Sequence, residues 1–254
     1  MRRTLLLAFT LLLAADFSFA AKVFSPEQLQ DVDAVLVVPM EWKPAFNAVY
    51  QGVTVFGNRE VRLAQDFDTH ACIARGVADL SSPPSRFSIE VLPSATVRAV
   101  QAQIEQTGGG PRAYAKSILQ RVRREHPADL YVVVLTAPHD LTAIDWGSHG
   151  YMGIKTVLSG KPALRAFWFA HVTTWNASGK ELAPRLTVNN GAEFAKVGNG
   201  DDFVRIVNEQ SAALRALLRA FIVRETQDRL GELLNGKKQY STPPPENLAP
   251  LDAC

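Results

Sequence analysis

Nothing in this sequence concentrates charge, cysteine or apolar length enough to name a partner. Lys and Arg total 27 against 25 Asp and Glu, a net charge of +2. That balance gives no electrostatic reason to expect nucleic acid. Two cysteines exclude a disulfide-framework scaffold. After the first twenty residues no stretch approaches the ~18 consecutive apolar residues of a membrane helix. The chain has no metalloprotease helix pattern and no paired-cysteine spacing, so no metal is expected. Gly108-Gly109-Gly110 leads into Pro111 with no Lys-Ser/Thr pair after it, which leaves no phosphate loop. No cofactor is expected.

What is present begins with an export pattern. Arg2 and Arg3 precede an apolar run from Leu5 to Ala15, and Ser18-Phe19-Ala20 puts small residues at the −3 and −1 positions. This predicts a signal peptide over 1–20, cleaved between Ala20 and Ala21, and a periplasmic or secreted chain. No cysteine follows the run, which excludes lipid attachment there. Export to an oxidising compartment makes Cys72–Cys254 the one intramolecular pairing to expect. The alternative is a buried helix thiol at Cys72, out of reach of a free Cys254. Residues 241–254 form a tail containing Pro243-Pro244-Pro245 and Pro250, which cannot be helical.

Between these ends, 21–240 reads as one domain. Asp33 to Met40 is a short β-branched run without polar alternation, as in a strand covered on both faces. Val53–Phe56 and Glu60–Leu63 flank Gly57-Asn58, a hairpin signal. A helix is predicted over 66–80, a strand over 86–92, and helices starting at Ser94 and Pro111. Asp129 to Leu135 is the most strand-like segment, and Ile89 to Leu135 fits a right-handed crossover. Strands over 151–158 and 163–175, a return strand ending near Val188, and one long helix from Asp201 complete the set. The fold class is α/β: one three-layer domain, its mixed parallel and antiparallel sheet flanked by helices, with a long C-terminal helix.

Three segments carry a resemblance: Gly52-Val53-Thr54-Val55-Phe56-Gly57-Asn58 after the first strand, Ala128-Asp129-Leu130-Tyr131-Val132-Val133-Val134 after a helix, and a tryptophan-rich strand closed by a long helix. With them the chain resembles uncharacterised exported proteobacterial α/β proteins. In plan it is similar to the TolB N-terminal domain and related envelope lipoproteins. The resemblance implies a binding or scaffolding role in the cell envelope, with an envelope protein as partner.

The local candidate for chemistry is the segment Thr136–Gly150, which follows the carboxyl end of the Asp129–Leu135 strand. It holds His139, Asp140, Asp145 and His149. Ligands favour such ends in open α/β sheets, and histidine beside a carboxylate suits proton transfer. Read as an exposed loop, it predicts that His139→Ala and His149→Ala each cost under ~1 kcal/mol. Ser148, in Gly147-Ser148-His149-Gly150, lacks a nucleophile-elbow pattern. Arg112, Lys116, Arg121, Arg123 and Arg124 form a basic helix face, either solvated or drawn to anionic envelope polymers. Three functional classes stay open: an envelope binding or scaffolding module, a small-molecule binder, and a hydrolase using His139, Asp140 and His149.

Overall fold

The computed structural model describes residues 24, 26–53, 57–63, 67–80, 86–104, 110–138, 147–155, 161–235 and 254. The strands are β1 (Ala34–Glu41), β2 (Phe46–Gln51), β3 (Arg59–Arg62), β4 (Ser88–Val91), β5 (Leu130–Thr136), β6 (His149–Ile154), β7 (Ala163–Asn176) and β8 (Glu181–Lys196). The helices, in chain order, are α1 (Thr69–Leu80), α2 (Ser94–Gln101), α3 (Gly110–Glu125), α4 (Gly200–Glu209) and α5 (Ser211–Asn235). Among the described residues no helix is long and apolar enough to cross a membrane.

The strands bond in the order β3-β2-β6-β7-β5-β1-β4, with β8 on β7. Register shows that these strands fall into fewer rows than their number. β7 pairs with β8 along most of its length, and meets β5 through 170–176 and β6 through 165–168. Since β8 occupies one edge of β7, β5 and β6 must share the other, end to end. β1 lies parallel to β5 and β2 parallel to β6, so those two also run in line. β7 and β8 therefore span both halves of a sheet whose other rows are interrupted. The crossover expectation changes in one respect: β1 sits between β4 and β5 and is parallel to both.

Alternation sorts the side chains onto two faces. Val35, Val37, Phe46, Tyr50, Val132, Val134, Tyr151 and Trp168 pack with α1, α4 and α5. Leu36, Val38, Met40, Tyr131, Val133 and Leu135 pack with Val97 and Val100 of α2 and Ile118, Leu119 and Val122 of α3. The β1 and β5 rows are buried on both sides, as their unbroken apolar runs require. The three-layer α/β reading holds.

Several sequence expectations shift. Phe46–Gln51 forms β2, a strand the apolar pattern did not signal, and its hairpin with β3 is tied by Asn58 Oδ1 accepting from Gly52 N at 2.9 Å. Residues 54–56 lie outside the described set. The return strand runs past Val188 to Lys196. The long last helix is two helices, α4 and α5, which divide at Gln210, where the backbone leaves the helical region. Asn199 caps α4 by accepting from Asp202 N at 2.9 Å. On the basic face of α3, Arg112 pairs with Glu181 at 2.6 Å and Arg123 donates to the Ala177 carbonyl. Two of its five cations thus hold the β7–β8 hairpin.

Cys72 lies on α1, fully buried, and is bonded to Cys254 with the Cα atoms 4.8 Å apart across 182 residues. The expected pairing is present, and burial does not prevent it, because Cys254 itself packs against the core beside α1. α1 also meets α5 closely: a Cβ on Gly76 would stand 2.6 Å from the Val223 carbonyl oxygen. Residues 1–20, expected to be a signal segment, the Ala20–Ala21 junction and tail residues 241–253 lie outside the described residues.

Candidate functional site

The carboxyl end of the parallel strands is where two rows break at one level. Glu41 of β1 faces Thr136 of β5, and the next registered pair is Phe46 with His149. Across the break, Ala137 N donates to Phe169 O and Phe169 N donates to Ser148 O, so β7 bonds both sides continuously. Ser148 N and His149 N both donate to Ala45 O, at 2.8 and 3.3 Å, and Ala45 N donates to Ser148 Oγ at 3.0 Å. Two glycines make this approach possible. Gly147 (φ +71) would put a Cβ 2.6 Å from Ala45 O. Gly150 (φ +146) would overlap the Asn47 carbonyl. Lys43 also adopts a left-handed conformation, φ 47, and its ammonium lies over the Trp42 ring at 4.8 Å.

His149 is therefore the first residue of a strand and only 2% exposed. This corrects the exposed-loop expectation. The glycine-flanked stretch looks like a turn in sequence, but β2 and β7 supply ladders on both sides of it. Its ring stacks on Phe46 at 5.1 Å and meets Phe67 at 5.4 Å. Nδ1 lies 3.0 Å from Ser148 Oγ. Burial pushes its pKa down to about 3, so the imidazole is neutral and a weak base at neutral pH. Ser148 Oγ is committed to the Ala45 backbone and this imidazole, and serves as a bridge between rows.

Beside them, sequence reading missed Glu41. Its only signal was a carboxylate directly after an apolar strand. Thr69 Oγ1, at the first turn of α1, donates to its Oε1 at 2.5 Å, and Gln101 Nε2 donates to its main-chain oxygen at 2.7 Å. Burial raises the pKa of the Glu41 carboxyl, with the Thr69 hydrogen bond opposing, Asp68 adding to the rise, and His70 and Arg98 lowering it. His70 is itself occupied, its Nε2 2.9 Å from the Leu92 carbonyl oxygen at the end of β4. His139, Asp140 and Asp145 lie outside the described residues. Among the described residues no group of three His, Cys, Asp or Glu side chains could hold a metal.

No protein-family model matches the chain, and no curated protein does. Among solved structures, the LpoB C-terminal domain from Salmonella enterica is similar at 13% identity and a TM-score of 0.25, over 64% of this chain and 90% of that one.

Proposed function

We propose that this chain is an exported module of the cell envelope that binds or scaffolds a protein partner. The observation that carries the reading is the Cys72–Cys254 bond, which needs an oxidising compartment to persist. The N-terminal pattern of Arg2, Arg3, the apolar run and Ser18-Phe19-Ala20 supplies a route there. His149 is enclosed and neutral, which makes it a poor acid–base group. The test is fractionation of cells expressing the full chain, followed by intact mass and thiol labelling. A periplasmic or secreted product starting at Ala21, with no free thiol, is expected. A cytoplasmic product with two labelled thiols overturns the reading. In-cell crosslinking of that exported product then asks for one recurrent envelope protein; its absence removes the partner while leaving export intact.

A further inference from the structure

The net charge of +2 conceals an uneven distribution between the two helical layers. α2 and α3, on one face of the sheet, hold six cations and one carboxylate, Glu125. α1, α4 and α5, on the other, hold six cations and seven carboxylates. That second layer is also paired within itself: Arg205 bridges Asp202 and Glu209, and Arg229 pairs with Glu225 and Glu232.

In the first layer some cations are committed and others are free. Arg112 and Arg123 hold the β7–β8 hairpin. Arg121 lies 4.0 Å from Glu125. Arg98 donates to a neutral partner, Ser94 Oγ, at 3.1 Å. Lys116 and Arg124 are exposed and make no ion pair among the described residues. They stand on one side of α3, about 12 Å apart along its axis. The other side of α3, with Tyr114, Ile118, Leu119 and Val122, is packed on the sheet, so the free cations point outward.

The outer surface says which anion suits it. The remaining exposed side chains of α3 are Ala113, Ser117 and Gln120. The large exposed apolar residues among those described, Val53 and Ile154, lie on neither helix. A protein interface has a core enriched in apolar and aromatic side chains, and single-stranded nucleic acid needs aromatic platforms. This layer offers neither. A bilayer of anionic headgroups asks only for cations on one broad side, each contributing about fivefold in affinity.

We infer that the α2–α3 layer docks on an anionic lipid surface through Arg98, Lys116, Arg121 and Arg124, lying against the headgroups without inserting. The inference is independent of the protein-partner reading. The test is flotation of the oxidised protein, as isolated from the cells that make it, with vesicles of phosphatidylglycerol and phosphatidylcholine in equal parts, beside phosphatidylcholine alone. Binding to the anionic vesicles only is expected. A tenfold rise in salt, which shortens the Debye length roughly threefold, should release it. Lys116→Gln combined with Arg124→Gln should weaken affinity about 25-fold, fivefold for each cation, and should fold normally because both sites are exposed. Arg75→Gln removes the same charge from an exposed position on α1 and should change binding little. No binding, equal binding to neutral vesicles, full affinity in the double variant, or an equal loss in Arg75→Gln would each overturn the proposal. Tighter capture by soluble polyphosphate than by the vesicles would also overturn it.

Discussion

The two ends of the parallel strands solve opposite problems with similar residues. At the carboxyl end, Ser148, His149, Glu41 and Thr69 turn inward and bond to the backbone or to one another. Toward the amino end, Tyr131 and Asp129 fasten the turn to β1, and Ser88, Glu90 and Glu125 line an open groove that runs along β4 as far as Pro93. The difference teaches that polar residues at the favoured end of an α/β sheet need not form an open site. Here they close a seam between two interrupted rows. The amino end instead has its turn tied to the start of β1 through Asp129.

Substitutions at the seam should cost stability, and those along the groove should cost little. Gly150→Ala should be the most damaging, since its Cβ would overlap Asn47 O at a φ of +146. A loss of roughly 3–5 kcal/mol in chemical denaturation is expected, as for a forced shift in a buried backbone. A loss under 1 kcal/mol would mean that the rows do not meet there.

His149→Ala should cost about 2–4 kcal/mol, the scale of removing a buried ring. The same variant tests the electrostatics. A histidine with pKa near 3 folded and 6.5 unfolded takes up protons on unfolding. Its stabilisation is present above pH 6.5 and is lost as pH falls toward 3. Denaturation across that range should be less acid-sensitive in His149→Ala than in the parent. An unchanged acid slope would place the imidazole in water.

Glu41→Gln should have a smaller effect of opposite sign. A carboxyl raised above 4.5 when folded contributes stability below that pH and loses it as pH rises through the folded value. The amide should therefore match or slightly exceed the parent at neutral pH, by less than about 1 kcal/mol. A clear loss at neutral pH would show that the ionised carboxylate is needed. Glu90→Gln, on the exposed edge, should change stability by under ~0.5 kcal/mol. A larger loss would make Glu90 a structural residue and dissolve the contrast between the two ends.

Much of the fold was legible because the chain writes its elements plainly. The β1 and β5 runs have no polar alternation and are covered on both faces. Two cysteines admit a single intramolecular pairing, and it is present. The failures share one cause, that nearby sequence does not reveal long-range ladders. Phe46–Gln51 contains Asn47 and Gln51 and carries no clear strand pattern, yet β6 and β3 bond it on both sides. His149 looked exposed beside two glycines, but those glycines serve close strand approach. Glu41 was invisible as a site because its partner Thr69 comes from another element. The amino-end groove left no motif, since its parts come from β1, β4 and α3.

β7 runs unbroken past the point where its neighbour is cut, bonding Thr136 through its Ala170 partner on one side and His149 through Trp168 on the other. It acts as a splint. The two halves keep their alignment because each is pinned to the same strand. Alignment of both halves thus hangs on one strand, so a backbone break near Phe169 would uncouple them at once.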